Sequence, residues 1–167
     1  MGEAKRRGTA AQRVLRAIKQ RDDDDAASTV VSKLEVATRQ LDAAIRLFLE
    51  RDYVSSLTLA GAAEEILGKL SSRAGLDNAV DFVVDFYKGQ TDTATDEEHR
   101  NMILRILNTP RNQAKHANDA SETTYEVDRL NPASMIMRAA PMVVPLGGTM
   151  SKEMMRFRNW LRQHPDL

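Results

Sequence analysis

The chain has 167 residues, with 24 Lys and Arg balanced by 24 Asp and Glu, so its formal net charge is zero. This length suits a single domain that buries a real hydrophobic core, and the lack of Cys excludes disulfides, Cys-based zinc sites and thiol catalysis. Only 5% of the residues are aromatic, which argues against broad stacking surfaces for single-stranded nucleic acid, and no apolar run reaches the roughly 20 residues of a membrane span.

The neutral total conceals three blocks of charge. Seven Lys or Arg and one acid give residues 1–21 a charge of +6, whereas residues 22–99 carry −10 and residues 100–167 carry +4. A neutral chain with segregated charge can present a basic face to a partner, and the alternative is an ordinary solvated surface. No apolar stretch follows the charged start, so we expect a cytoplasmic protein without a signal peptide.

The first segment, residues 1–27, is an N-terminal arm ahead of a single helical domain over residues 28–167. Val14, Leu15 and Ile18 predict a helix with a narrow apolar stripe. A run of four aspartates then interrupts the pattern, because adjacent like charges repel. We expect the arm to be flexible, partly disordered or folded as one helix.

Two long helices, over 29–51 and 54–73, are predicted after the arm. Apolar residues recur at steps of three and four in both segments, which is the pattern of one buried helix face. Ser28 suits the N-cap of the first helix, and Gly75 suits the position just past the end of the second. The small residues at 60–63 of the second helix allow a neighbouring helix to approach closely.

Two shorter helices are predicted next. Residues 78–88 indicate a third helix, and a capping box at 95–98 opens a fourth. Pro110 disfavours helix at the residue before it and suits the first turn of a new helix. We therefore expect a break at Thr109 and a fresh helix over 111–118.

The C-terminal third has weaker signals. Residues 122–130 fit either an extended segment or a short helix, and the Asn-Pro pair at 131–132 predicts a helix that Pro141 kinks or ends. A last helix covers 150–163, and the Met-rich stretch 135–155 is either core or an adaptable binding surface. The predicted fold is all-α: an up-and-down bundle of four to five core helices with a C-terminal helical extension and a flexible N-terminal arm.

One motif carries chemistry, and it reads Arg111-Asn112-Gln113-Ala114-Lys115-His116. A histidine side chain is a common general base in proteins, so His116 can take the proton from a ribose 2′-hydroxyl. The guanidinium of Arg111 can hold a phosphate and offset charge in the transition state, and Asn112 can orient either group. In the first turn of a helix, backbone N–H groups would add to this anion site.

Other catalytic motifs are missing from the sequence. It contains no His-x-x-x-His pair, no Gly-rich phosphate loop and no Gly-x-Ser-x-Gly elbow. The activities of zinc proteases, P-loop NTPases and serine hydrolases therefore lack support.

The two long predicted helices carry a second pattern, which reads ATRQLDAA at 37–44, LFLERDY at 47–53 and AGAAEEIL at 60–67. Together with the Arg-Asn…His motif, this pattern resembles the HEPN superfamily of all-α bacterial and archaeal proteins, over roughly residues 30–118. The tail from Leu130 looks like that of a further branch of bacterial proteins with a Lys-His-Ala element, which implies no activity of its own.

The resemblance implies an activity and a set of roles. Many HEPN proteins are metal-independent endoribonucleases of toxin–antitoxin or phage-defence systems, with motifs that meet across a homodimer cleft, and some members are catalytically silent. In this chain Arg111 would bind phosphate, His116 would be the base and Asn112 would position them.

Further residues and partners enter the expected site through the resemblance. In some members an acid on the second helix supports the arginine, which here is Glu64 or Glu65, and Lys115 and Glu65 are the expected substrate-binding residues. No cofactor and no metal is implied. The expected partners are a second copy of the chain, an RNA substrate and an antitoxin or other protein, without a membrane.

Another interpretation stays open beside this one. Arg111 and His116 fit an ordinary capped helix start, and a second match at Arg158, Asn159 and His164 is interpreted as coincidence. The protein would then be a non-catalytic helical-bundle dimer that acts as a protein-interaction module, for example through its Met-rich C-terminal third.

Overall fold

The computed structural model describes residues 9–16, 29–77, 79–88, 95–116, 121 and 123–166. The chain divides into two units, Met1–Val31 and Ser32–Leu167. Over the described residues both units contain helices and no strand, which confirms the all-α prediction. No described helix is long and apolar enough to cross a membrane.

In the first unit, residues 10–16 form helix α1. Thr9 and Gln12 make a capping box at its start: the Gln12 side chain accepts from the Thr9 N–H at 2.9 Å, and the Thr9 hydroxyl accepts from the Gln12 N–H at 3.3 Å. Val14 and Leu15 are exposed, and Ile18 lies outside the described residues. Two of the three side chains of the predicted apolar stripe, Val14 and Leu15, are therefore exposed to solvent.

The described residues of the second unit form six helices: α2 (Lys33–Leu49), α3 (Tyr53–Arg73), α4 (Ala79–Phe86), α5 (Asp96–Lys115), α6 (Leu130–Val143) and α7 (Lys152–Gln163). The core lies between α2, α3, α6 and α7, where Leu41, Ile45, Leu57, Leu67 and Ile136 are fully buried. The C-terminal helices, predicted as an extension of the bundle, thus complete its core.

An aromatic cluster joins the first and last helices of this core. The ring of Phe48 on α2 packs edge-on against Phe157 and Trp160 of α7, with ring centroids 5.4 Å and 4.6 Å apart. Such edge-to-face pairs stabilise the fold beyond the effect of burying apolar area. The Ser151 hydroxyl donates to the Asp42 carboxylate at 2.5 Å and joins the same two helices.

The two long predicted helices are observed as α2 and α3, and the first of them starts later than predicted. Ser32 caps α2 by accepting from the Glu35 N–H at 3.0 Å, so residues 29–32 are not helical; Ser28, the predicted cap, lies outside the described residues. Gly75 follows α3 with a φ of +67°, and the Leu76 N–H donates to the Ser71 carbonyl at 2.9 Å. This is the helix end that the glycine predicts.

The predicted helix break at Thr109 is wrong, because α5 continues from Asp96 to Lys115 with Pro110 inside it. The Thr109 hydroxyl is no N-cap and donates back to the Arg105 carbonyl at 2.7 Å. The Tyr125 hydroxyl donates to the Pro110 carbonyl at 3.1 Å. Contacts made after the proline offset the backbone hydrogen bond that proline cannot form.

The start and end of α6 also differ from the prediction. The Asp128 carboxylate accepts from the N–H groups of Leu130 and Asn131 at 2.8 Å and 3.1 Å, so Asn131 is not the N-cap. Pro132 still lies in the first turn, where its missing N–H costs nothing. Pro141 lies inside the last turn without ending the helix before Val143. Residues 123–128 are not helical.

Helix α4 confirms the third predicted helix, but its two phenylalanine side chains face solvent, as does Tyr87 just after it. Phe82 is 74% exposed, and Phe86 and Tyr87 are also exposed, whereas Val84 is buried. The Val84 carbonyl O lies 2.7 Å from His99 Nε2, which joins α4 to α5.

Candidate functional site

The side chain of Arg111 crosses α3 at Gly61. A Cβ atom at residue 61 would lie 2.2 Å from Arg111 Cδ and 2.6 Å from Cγ, so only glycine leaves room for this contact. Arg111 Nη1 also donates to the Gly61 carbonyl at 3.3 Å. The small-residue stretch of α3 therefore admits an arginine of α5.

Two carboxylates and a second arginine surround the guanidinium of Arg111. Its Nη1 lies 3.7 Å from Glu64 Oε2 and 3.8 Å from Glu65 Oε2, and the other oxygen of Glu64 lies 3.6 Å from Arg138 Nε. The side chains of Arg111, Glu64 and Arg138 are 13%, 8% and 6% exposed. We call these three residues the buried cluster; it holds two guanidinium groups and one carboxylate.

The buried cluster has more hydrogen-bond donors than acceptors. Arg111 Nε and Arg138 Nε and Nη1 are buried and make no hydrogen bond to the described residues. Burial lowers the pKa of Arg138, Glu64 opposes this shift, and the charge of Arg111 adds to it. Excess buried donors favour an additional acceptor such as an anion or water.

Lys115 and Glu65, the two predicted substrate-binding residues, belong to the same charged neighbourhood. A hydrogen bond from Lys69 lowers the pKa of Glu65, and the charges of Arg111 and Lys115 act in the same direction. Burial and the charge of Arg111 lower the pKa of Lys115, and Glu65 opposes this shift. The structure therefore brings Arg111 and Glu65 together, 3.8 Å apart, whereas Lys115 acts on them through its charge and lines a different cavity.

His116 lies at the end of α5 and is exposed. Its N–H donates to the Asn112 carbonyl at 3.0 Å, and its side chain lines a cavity of about 280 Å³ with Thr123 and Tyr125. Arg111 lines a different cavity. Because five residues of α-helix turn by about 500°, side chains at this spacing leave the helix about 140° apart. Asn112 is exposed.

The cavity beside Arg111 has a volume of about 250 Å³, and we call it the Arg111 cavity. Arg100, Leu104, Asn108 and Arg111 form one side of it and repeat at three- and four-residue steps of α5. The opposite walls come from α3, α4 and α6.

The backbone N–H groups of a helix start do not contribute to an anion site at Arg111, contrary to the prediction. The sequence places Arg111 in the first turn of a helix, but the structure places it near the C-terminal end of α5. Carbonyl groups, and not N–H groups, lack partners at that end. Side chains alone supply the positive charge.

Sequence reasoning missed two residues of this arrangement. Gly61 is one small residue among several, and its contact with Arg111 spans 50 positions. Arg138 carried a usable signal, since it is the only charged residue between Asn131 and Val144. A lone charge in an apolar helix points to a buried partner.

The histidine of the second match to the motif, His164, packs against its own helix. The imidazole of His164 stacks on the Trp160 ring with centroids 4.1 Å apart, and its Nδ1 lies 2.8 Å from the Trp160 carbonyl O. Arg158 lines an apolar cavity between α6 and α7. The interpretation of this match as coincidence stays a prediction.

The fold and the site define an all-helical bundle with a buried arginine–carboxylate cluster at one cavity. Neither a family model, nor a curated protein, nor a solved structure matches the chain. Within the described ranges, no group of three or more His, Asp or Glu side chains is placed to hold a metal ion.

Proposed function

We propose that the protein is a HEPN-like, metal-independent endoribonuclease of the toxin–antitoxin or defence type. In this proposal Arg111 holds the scissile phosphate, His116 takes the proton of the 2′-hydroxyl, and Asn112 positions the two. Arg111 compensates the charge that develops on the phosphate during attack, and the neutral imidazole acts as the base.

The observation that supports the proposal best is the way Arg111 is held. Its aliphatic part lies over Gly61, and its guanidinium faces Glu64 and Glu65 at 3.7 Å and 3.8 Å, at the wall of an open cavity. These distances exceed those of a direct charge-assisted hydrogen bond. The arginine is therefore oriented by the bundle, and its charge lies at the cavity wall without a direct hydrogen bond to either carboxylate.

A second copy of the chain is part of the proposal. Arg111 and His116 of one chain line separate cavities, whereas the reaction needs both groups within hydrogen-bond reach of one phosphodiester. In a homodimer, the His116 of one copy serves the Arg111 of the other.

The test is RNA cleavage by the purified protein in EDTA. Arg111→Ala and His116→Ala should each lower the cleavage rate by about 100-fold or more. Arg105→Ala, at an exposed position of the same helix, and His164→Gln are the matched controls and should leave the rate unchanged. Equal cleavage by the two motif variants and the wild type would contradict the proposal.

Mixing the two inactive variants tests the two-copy arrangement. A mixed dimer of Arg111→Ala and His116→Ala contains one site with an intact arginine from one copy and an intact histidine from the other. Cleavage should return to a substantial fraction of the wild-type rate. If the mixed dimer forms and stays inactive, the two residues do not act across copies.

A second candidate function is a non-catalytic helical-bundle dimer that acts as an interaction module. It is favoured by an apolar cavity of about 310 Å³ between α6 and α7, lined by Met137, Met150 and Met154 among others. Light scattering of Met150→Asp, with Met155→Asp as the matched control, tests this candidate. Dissociation of the first variant alone supports an interface at this cavity, and equal behaviour of the two contradicts it.

A further inference from the structure

We propose that the cavity between α6 and α7, which we call the α6–α7 cavity, binds one medium-chain fatty acid, with the alkyl chain inside it and the carboxylate at Arg158. This cavity shares no lining residue with the cavities at Arg111 and His116, so the proposal does not depend on the ribonuclease function. A second copy of the chain is the occupant in the second candidate function, and the experiment below distinguishes the two.

The α6–α7 cavity has the size of a small-molecule site. Its volume is about 310 Å³, and pockets for small ligands begin at about 300 Å³, with mostly apolar walls and a few polar groups. An apolar cavity of about 150 Å³ holds the six carbons of a benzene ring. About twice this volume therefore suits an alkyl chain of roughly eight to ten carbons.

The cavity has a buried floor and an adaptable mouth. Met154 and Phe157 of α7 are 4% and 3% exposed and form the floor, whereas Met137 and Met150 are 40% and 46% exposed and lie at the mouth. Methionine side chains are flexible and adapt to the shape of a ligand. An alkyl chain can therefore extend from the floor to the mouth and contact apolar side chains along its length.

The wall of the cavity favours an aliphatic ligand over an aromatic one. Phe157 is the single aromatic residue among the described residues that line it. The ring of Phe157 already packs against Phe48 and Trp160, with centroids 5.4 Å and 5.9 Å apart. A flexible chain gains from each methylene that it buries, whereas an aromatic ring would find no other ring to pack on.

Arg158 supplies the only charge among the described residues that line the cavity. Its side chain is exposed and forms no ion pair with the described residues. An arginine at an apolar wall can lay its methylene groups along that wall and keep its guanidinium in water. A guanidinium can bind a carboxylate through two parallel hydrogen bonds. A small inorganic anion would leave the apolar wall empty and an alkane would leave Arg158 without an anion, whereas a fatty acid satisfies both.

The experiment measures equilibrium binding of acetate, hexanoate, octanoate and decanoate to the full-length protein by calorimetry, below the concentrations at which decanoate forms micelles. Affinity should rise about threefold to fourfold with each added methylene until the cavity is full. Acetate should not bind. An affinity that does not depend on chain length would show that the alkyl chain lies outside the cavity, and the proposal would be wrong.

Two variants at exposed positions of α7 test the role of Arg158. Arg158→Gln should weaken octanoate about threefold or more and leave 1-octanol unchanged, because the alcohol carries no charge. Lys152→Gln is the matched control and should leave both ligands unchanged, since Lys152 is exposed and its side chain leaves the helix about 180° from the middle of the row that lines the cavity. Equal weakening by the two variants would indicate a general attraction of anions and contradict the site.

Ala140→Leu tests the cavity itself. Ala140 lines it, and the larger side chain should shorten the chain length at which affinity stops rising by about two to three carbons. An unchanged limit in the folded variant would contradict the site, and if the variant does not fold, the two charge variants still decide. If no carboxylate binds to the wild type, the proposal is wrong, and dissociation of Met150→Asp would then assign the cavity to a second copy.

Discussion

At the scale of the residue, Gly61 and Arg111 determine each other. The arginine side chain occupies the space that any Cβ at position 61 would need. Its guanidinium then meets the buried Glu64, which a shift of one or two ångströms would separate. Position 61 therefore controls the geometry of the site from outside the motif.

We expect Gly61→Ala to destabilise the protein although alanine is the better helix former. Displacing Arg111 breaks a mostly buried ion pair, and we expect a net loss of about 1–3 kcal/mol in the free energy of unfolding. Urea denaturation measures the effect. An increase in stability would show that Arg111 moves aside at no cost.

Two comparisons make the Gly61→Ala prediction specific. Gly68 lies in the same helix with nothing within 4 Å of a Cβ, so Gly68→Ala should stabilise by about 0.5–1 kcal/mol through helix propensity alone. In an Arg111→Ala background, Gly61→Ala should change sign and stabilise by a similar amount. Persistent destabilisation in that background would place the clash elsewhere.

The environment of Asp42 predicts how the stability of the protein depends on pH. Burial raises the pKa of its carboxyl, the hydrogen bond from Ser151 opposes this, Glu153 adds to it and Arg46 opposes it. A raised pKa means that the folded state favours the neutral form of Asp42. The stability that Asp42 contributes is therefore present at low pH, and it is lost as the pH rises through the pKa of Asp42 in the folded state. Asp42→Asn keeps the acceptor for Ser151 without the charge.

We therefore expect Asp42→Asn to raise the melting temperature at pH 7. The gain should vanish below the ordinary carboxyl pKa of about 4, where both variants are neutral. Asp52→Asn is the control, because Asn caps a helix as well as Asp, and its melting temperature should change little at either pH. A gain that is constant with pH would assign the effect to packing.

At the scale of the element, α5 shows how tertiary contacts override a local signal. Pro110 is a sound reason to predict a break, because proline removes one hydrogen bond and crowds the preceding turn. The helix nevertheless continues, since Arg111 is anchored on α3 and Tyr125 donates to the Pro110 carbonyl. The helix end that would have favoured an anion at Arg111 is absent for the same reason.

Replacing this proline should stabilise the protein. Pro110→Ala restores an N–H that can donate to the Ile106 carbonyl, and we expect a gain of about 1–3 kcal/mol in urea denaturation. Thr109→Val is a useful companion, because it replaces only the hydroxyl that donates to the Arg105 carbonyl with a methyl group, and it should change stability much less. A loss of stability in Pro110→Ala would show that the contacts of the proline contribute more than the hydrogen bond that it cannot form.

Helix α4 shows a different limit of sequence reasoning. Its position was predictable, but which of its apolar side chains are covered depends on how α5 and α6 contact it. Val84 is buried, whereas Phe82 and Phe86 are exposed. Hydrophobicity along the chain does not distinguish these positions.

At the scale of the whole molecule, the hydrophobic core formed by the described residues lies in the second unit. Every residue of the buried core cluster lies between Ala37 and Phe157. We expect a chain of residues 29–167 to retain the stability of the full chain within about 0.5 kcal/mol, measured by urea denaturation. A chain ending at residue 150 should unfold, because it loses Met154 and Phe157 from the core; similar stability of both truncated chains would contradict this picture.

The sequence by itself determined where most of the helices of this protein lie and some of their ends. Spacing of apolar residues, the capping box at 95–98 and Gly75 act within one or two turns, so they are visible in the chain. It also drew attention to Arg111. The resemblance to HEPN proteins and the catalytic roles stay predictions.

Only the tertiary structure decided what surrounds Arg111. The contacts with Gly61 and Glu64 span about 50 residues of sequence, and Arg138 reaches Glu64 from a third helix. It also decided that Arg111 and His116 line different cavities, because α5 continues through Pro110. Such contacts depend on how separate helices pack, which local patterns along a chain do not encode.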